Sequence, residues 1–268
     1  MSFLGLEGRR VVVFGVSNKK SVGFKSHEVL VEAGAEVHWV VHTEERRAEL
    51  EALAAKSGAA SVQVCDVEKS GAIAATAAAI DGPVDGIVHA IAFANYAEGM
   101  KPFHETPRED FAQAIQISCH SLVEIAQAFR PRLRSGSSVV TISISTTRMA
   151  AQNYGYMAPV KAALDSSVVF LAKSMADAGV RFNAVSPSLL KTRSAAGIPG
   201  YADSYLYAEH LTLRGRGVQV DEVANTVAFM LSPRSSGINA QSVVVDAGMA
   251  VNGFDERVVS AALKGGLA

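Results

Sequence analysis

Residues 9–23 read Arg9-Arg10-Val11-Val12-Val13-Phe14-Gly15-Val16-Ser17-Asn18-Lys19-Lys20-Ser21-Val22-Gly23, and a second apolar run, Ala35 to His42, follows. The run up to Phe14 is unbroken rather than alternating and stops at a glycine, the pattern of a strand buried on both faces. Ser21-Val22-Gly23 then opens a segment of helical periodicity that lasts to about Ala33, with a serine at the capping position. Strand, helix and strand in so few residues predict a parallel βαβ unit. Gly15 and Gly23 bracket its first loop. Such a loop lets backbone N–H groups and a helix N-terminus meet a pyrophosphate, with the Ser21 hydroxyl at the cap. The spacing is not Gly-x-Gly-x-x-Gly, and a plain turn is the alternative reading.

The same alternation continues outward. Glu44 to Lys56 reads as a helix, Ser61 to Cys65 as a strand stopping at Asp66, and Lys69 to Ile80 as an alanine-rich helix. Val84 to Ala90 is a strand, Arg108 to about Leu133 one long helix, and Ser137 to Ile144 a strand. Asn153 to about Ala178 is a helix, Val180 to Val185 a strand, Asp221 to Leu231 a helix and Gln241 to Val245 the last strand. Few linkers interrupt this series. The expected fold is α/β: a single-domain doubly wound (Rossmann) parallel seven-stranded sheet with helices on both faces. Residues 1–268 then form one nucleotide-binding catalytic domain, with a tail from about residue 250.

Composition narrows the function. The chain has 268 residues, 49% of them hydrophobic, and a formal charge of −1 from 25 basic and 26 acidic residues. That balance points away from nucleic acid or an anionic membrane as partner. Cys65 and Cys119, the two cysteines, each lie in an apolar segment and read as buried free thiols of a reducing cytosol. Met1 to Arg10 has no apolar signal region, and no run approaches the ~18–20 residues of a membrane span, so a soluble cytoplasmic protein is expected. No cluster of His, Cys and carboxylates has metal spacing, and there is no Gly-x-Ser-x-Gly elbow.

Chemistry concentrates in Asn153-Tyr154-Gly155-Tyr156-Met157-Ala158-Pro159-Val160-Lys161. Seven residues make nearly two turns at ~100° each, which returns Tyr154 and Lys161 to one face within about 20°. Tyr156 falls roughly 140° away on the same reckoning. A lysine beside a tyrosine lowers the phenol's pKa and makes it a usable general acid near neutral pH. Two polar residues on a solvated helix face are the alternative. Asp66-Val67 sits beyond the third strand, at the carboxyl edge where open α/β sheets bind ligands. A carboxylate there suits an adenine amino group, and equally a helix cap. His89-Ala90-Ile91-Ala92-Phe93-Ala94 leaves the fourth strand at the same edge, with His89 read as a satisfied core residue.

Together the motifs resemble the short-chain dehydrogenase/reductase superfamily, and within it the bacterial enoyl-acyl-carrier-protein reductases. They are Gly15 to Ser21, Cys65-Asp66-Val67, Ile91 to Ala94, Tyr154-x-x-Met157-x-x-x-Lys161, Lys191-Thr192 with Ala195 to Ile198, and Val245 to Gly248. Ordinary superfamily members carry tyrosine where Met157 stands, and the enoyl reductases carry it at Tyr154. The resemblance implies that Tyr154 hydrogen-bonds the thioester carbonyl and that Lys161 holds the nicotinamide ribose. It assigns cofactor contacts to Gly15, Ser21, Val22, Asp66, Val67, Ile91, Ala92 and Thr192. The substrate pocket falls to Phe93, Ile144, Tyr154, Met157, Tyr201 and Tyr205, the last two in a mobile loop at about 193–213.

Three departures from the pattern stand out. Ile144 replaces an aromatic, Ala92 a glycine, and Pro159 enters the catalytic helix, whose regular part is then expected to begin near Met157. The cofactor expected is NADH, with NADPH possible: Glu44 and Glu45 would repel a 2′-phosphate that His42, Arg46 and Arg47 would attract. The partner is an acyl-carrier-protein or coenzyme A thioester, with Arg193, Arg214 and Arg216 placed to meet an acidic carrier. A homotetramer is expected because Leu122, Ile125, Ala126, Val168, Val169 and Leu171 exceed what one core face needs. The alternatives are a reductase of a different small substrate and a nucleotide-binding protein without turnover.

Overall fold

Among the residues described by the computed structural model, 3–151 and 155–264, seven parallel strands form one sheet. They are β1 (Arg10–Phe14), β2 (Glu36–Val41), β3 (Ser61–Val64), β4 (Val84–His89), β5 (Leu133–Ile142), β6 (Arg181–Pro187) and β7 (Ser242–Val245). Their order is β3-β2-β1-β4-β5-β6-β7. Alternate side chains of β1 feed two cores: Val12 and Phe14 enter one, Val11 and Val13 the other. Helices α1 (Val22–Glu32), α2 (Glu44–Ser57) and α8 (Val220–Leu231) cover the second core. Helices α3 (Ala72–Ala79), α4 (Arg108–Ile115), α5 (Ser121–Phe129) and α6 (Met157–Ser174) cover the first. The unbroken apolar run of β1 is thus explained by burial on both faces. Each such side chain contributes about 1.5–3 kcal/mol on leaving water.

The structure corrects several boundaries. The long helix expected from Arg108 to Leu133 is broken by a π-helical turn, Gln116–His120, and ends at Phe129. The turn is held by tertiary bonds: the Ser118 hydroxyl accepts from Phe93 N (2.9 Å) and donates to Phe93 O (3.2 Å). Pro131 lies two residues past Phe129 and has no backbone N–H with which to continue the helix. The chain instead turns into β5, with Val84 N donating to Arg132 O at 2.9 Å. Helix α6 does begin at Met157, so Pro159 is its third residue, where a missing N–H breaks no intrahelical bond. Tyr154 lies outside the described residues. The span 193–213 is helical rather than a plain loop, with a 3-10 turn at Ala195–Gly197 and helix α7 at Tyr201–Leu211. The tail folds into α9 (Glu256–Lys264). The long-helix residues expected to exceed one core are absorbed by it: Leu122 and Ile125 are 0% exposed, whereas Val169 stays 48% exposed.

His89 is a core residue, as its place on a strand suggested. Its Nδ1 lies 2.7 Å from the Thr141 hydroxyl and its Nε2 2.9 Å from the Ser121 hydroxyl. Ser121 already donates to Ile117 O (2.7 Å), so it accepts from Nε2–H, and Nδ1 accepts from Thr141. Burial pushes the imidazole down to about 3, with the charge of Lys161 adding to the effect. The unfolded chain takes up this proton near 6.5 and the folded chain only near 3. Folding stability therefore falls as pH drops through that window, by about 1.4 kcal/mol per pH unit for this one proton. His27, buried on α1 with its pKa also lowered by burial, acts in the same direction. Urea unfolding between pH 4 and 6 should show this slope, and His89→Gln should flatten it by about one proton; an unchanged slope would count against the assignment.

Candidate active site

Chain order reverses between β1 and β4, which are neighbours in the sheet although two strands separate them in sequence. Loops leaving the carboxyl ends of such a pair diverge and leave a crevice. Here it is a cleft of about 480 Å³ reached by residues after β1, β4, β5 and β6 and by α6.

The inner end is built by the loop after β1. Gly15 has φ +92°, and a Cβ on it would lie 2.2 Å from Ala90 O. A Cβ on Gly23 would lie 3.0 Å from Gly15 O. The two glycines therefore let β1, the exit of β4 and the first turn of α1 come together. Ser21 caps α1: its hydroxyl accepts from Phe24 N (3.2 Å) and donates to Asn18 O (2.8 Å). Ser21 and Val22 at this helix start line the cleft, where first-turn N–H groups lack intrahelical acceptors and the helix dipole is positive. That arrangement fits a pyrophosphate.

Lys161 reaches the middle of the cleft from the first turns of α6. It is 3% exposed, and its ammonium donates to Ile142 O (2.7 Å) and Ile91 O (3.4 Å). Burial pushes its pKa down to about 8, against the opposing pull of Asp165. Tyr156, the other phenol of the motif, is tied elsewhere: its hydroxyl accepts from Asn95 N (2.9 Å) and donates to Asn95 O (3.1 Å). Its ring stacks on Tyr96 with centroids 6.2 Å apart.

Of the expected cofactor residues, Gly15, Ser21, Val22, Ile91, Ala92, Lys161 and Thr192 line this one cleft. The expected substrate residues Phe93, Ile144, Met157 and Tyr201 line it too. His42, Asp66 and Val67 stand outside it, at the β2–β3 end of the same sheet edge. His42 Nε2 is 3.5 Å from Asp66 Oδ1, and Asp66 also accepts from Glu68 N (3.1 Å), a local turn bond. Tyr205 is a correction. It is 4% exposed, its hydroxyl is 3.3 Å from Glu209 and Lys191 lies 4.3 Å above its ring, so it packs α7 and does not line the cleft. Tyr201 has its hydroxyl occupied by Leu190 N (2.8 Å) and Leu190 O (2.9 Å), and so presents its ring. Leu190 and Tyr96 also line the cleft and were not read from the sequence, their one signal being position just past a strand; Ile198, quoted only as the end of a family motif, lines it too.

A family profile described as Enoyl-(Acyl carrier protein) reductase matches residues 15–250. The chain belongs to this enoyl reductase family. It is 32% identical over 256 residues, 94% of this chain and 97% of the relative, to "Enoyl-[acyl-carrier-protein] reductase [NADH] FabI" of Salmonella typhimurium. It is 33% identical over 250 residues, 91% and 98% of the two chains, to the FabI of Staphylococcus aureus, which is named for NADPH. The crystal structure of the NADH enoyl reductase from Aquifex aeolicus superposes with a TM-score of 0.90 at 28% identity, covering 93% of this chain and 99% of that one. The matched span, residues 15–250, contains every residue that lines the cleft.

Proposed function

We propose that this chain reduces the carbon–carbon double bond of an enoyl thioester in fatty-acid synthesis, using a nicotinamide cofactor. The observation that carries the reading is one cleft with a pyrophosphate-type loop at one end and a buried lysine in the middle. Its other end is apolar, formed by Phe93, Ile144, Met157 and Ile198. The bound nicotinamide supplies the hydride. Gly15, Ser21 and Val22 would hold its phosphates, Ile91, Ala92 and Thr192 the nicotinamide half, and Lys161 the ribose. His42, Asp66 and Val67 would complete the adenine end.

Hydride addition at the β-carbon leaves an enolate whose oxygen needs a donor until the α-carbon takes a proton from water. Tyr154, three residues ahead of α6 in sequence, serves as that donor, and the Lys161 ammonium stabilises the developing charge. The apolar walls exclude water and strengthen both interactions. A ketone places full alkoxide charge on its oxygen and calls for further donors, yet the side chains at 144 and 157 are Ile and Met. Steady-state assays should therefore show turnover of crotonyl or longer enoyl thioesters and little of simple ketones. Efficient ketone reduction without any enoyl turnover would reverse the reading in favour of a different small substrate.

NADH is the preferred cofactor in this reading. Glu44 and Glu45 occupy the first turn of α2, and each nearby base has a carboxylate partner: Arg46 with Glu49, Arg47 with Glu44, His42 with Asp66. A dissociation constant for NADPH tenfold below that for NADH would overturn this. The thioester partner is an acyl-carrier protein or coenzyme A. Arg193 has no ion-pair partner among the described residues and is left to meet an acidic carrier, while Arg214 and Arg216 both face Glu222, at 2.6 and 3.9 Å. No helix among the described residues is long and apolar enough to cross a membrane, and the reading places the enzyme in the cytoplasm. The outward Val169 and Phe170 of α6, 48% and 74% exposed, support a homotetramer, which a sedimentation mass near 28.1 kDa would refute.

A further inference from the structure

Asp165 lies one helical turn beyond Lys161 on α6, a spacing that puts both side chains on the same face. That face packs on the sheet. The Lys161 ammonium is bound by two backbone carbonyls, Ile142 O and Ile91 O, and among the described residues no carboxylate hydrogen-bonds it. Three ionisable groups of the described residues surround it: Asp165 from α6 itself, Cys119 from the π turn and His89 from β4. His89 has both ring nitrogens engaged with Thr141 and Ser121 and is uncharged near neutral pH. The Cys119 sulfur lies 3.5 Å from the Ser167 hydroxyl and is buried. Asp165 is thus the one carboxyl in the set.

Its own surroundings are not those of a structural ion pair. The hydroxyls of Ser143 and Ser242 lie beside the carboxyl, but neither Asp165 Oδ1 nor Ser143 Oγ has a partner in hydrogen-bond geometry among the described residues. Burial raises the pKa of the carboxyl, and those hydroxyls and the Lys161 charge oppose the rise and favour the carboxylate. A buried carboxylate oxygen without a donor is costly, and such exceptions concentrate where a charge has a job to do. We propose that Asp165 is the counter-charge that keeps Lys161 protonated inside the cleft, making it a positioning residue for the reductive step. The inference deepens the role given to Lys161 above and rests on it.

The physical sign is simple. Burial favours the neutral amine, and a negative charge one turn away favours the ammonium. Removing that charge while keeping the shape should therefore release the Lys161 proton at lower pH. The test is a titration of the full-length, cofactor-free chain with carbon-13 at lysine Cε, the Lys161 signal being identified by its absence in Lys161→Arg. In Asp165→Asn the midpoint should fall by about one pH unit or more, a tenfold loss of proton affinity. Asp165→Ser removes the charge independently should the amide disturb folding, and Asp165→Glu should restore the wild-type midpoint. Cofactor affinity followed by fluorescence should weaken at lower pH in the two uncharged variants than in wild type. Midpoints unchanged in Asp165→Asn and Asp165→Ser would overturn the proposal. Because the titration needs neither cofactor nor substrate, it is decided separately from whether any enoyl thioester is turned over.

Discussion

Tyr154→Phe should lower turnover by about 100-fold or more with little change in cofactor affinity, and Lys161→Ala should weaken cofactor binding and turnover together. The difference follows from when each group acts. A hydrogen bond that strengthens only as enolate charge develops stabilises the transition state alone, so its loss appears in kcat. One oxyanion donor of this kind is worth ~3–4 kcal/mol. Lys161, by contrast, is proposed to touch the ribose before any charge moves, and its ammonium is fixed beforehand by Ile142 O at 2.7 Å. Truncation would take this donor from the Ile142 carbonyl as well as removing the charge. The wild-type enzyme should also lose cofactor affinity as pH rises through about 8, where the buried Lys161 gives up its proton. Fluorescence titration of the cofactor and single-turnover kinetics separate these effects. Full activity in Tyr154→Phe would remove Tyr154 from the mechanism. Tyr156 would then need its two bonds to Asn95 broken before it served instead.

Gly15→Ala should abolish measurable cofactor binding while leaving the rest of the sheet folded. The substitution faces two independent penalties. A left-handed φ of +92° costs an L-residue about 1–2 kcal/mol. The new Cβ would also stand 2.2 Å from Ala90 O and 2.7 Å from Ala90 C, both backbone atoms of the strand exit next door. Neither strand end yields without opening the crevice whose width the cofactor needs. Gly136→Ala isolates the first penalty, since Gly136 has φ +88° and nothing within 4 Å of its would-be Cβ. It should lower stability modestly and leave cofactor affinity within about twofold, because it adds no atom near the cleft. Calorimetric titration of both variants checks the pair. Near-native affinity in Gly15→Ala would mean that the phosphate end of the cleft has been misplaced.

The amino-acid sequence by itself determined the layered α/β class, the seven strands and their parallel sense. Those follow from burial periodicity, and a run such as Val11-Val12-Val13-Phe14 has few other places to go. It also brought Gly15, Ser21, Ile91 and Lys161 to notice, because loops at strand ends and the Tyr-Lys spacing are local patterns, whereas Thr192 was implied only by the family resemblance. Start positions tied to local chemistry held as well: Pro159 placed the beginning of α6 at Met157. The tertiary structure decided what depends on partners distant in sequence. The π turn at Gln116–His120 exists because Ser118 bonds Phe93, twenty-five residues away. Tyr201 and Tyr205 are four residues apart on α7, and only packing sends the first to the cleft and the second against Lys191 and Glu209. Ile125 and Val169 are equally apolar letters, and burial alone separates a core residue from a free surface. Helical and strand periods are properties of a single segment, whereas side-chain destinations are set by whichever segment packs opposite.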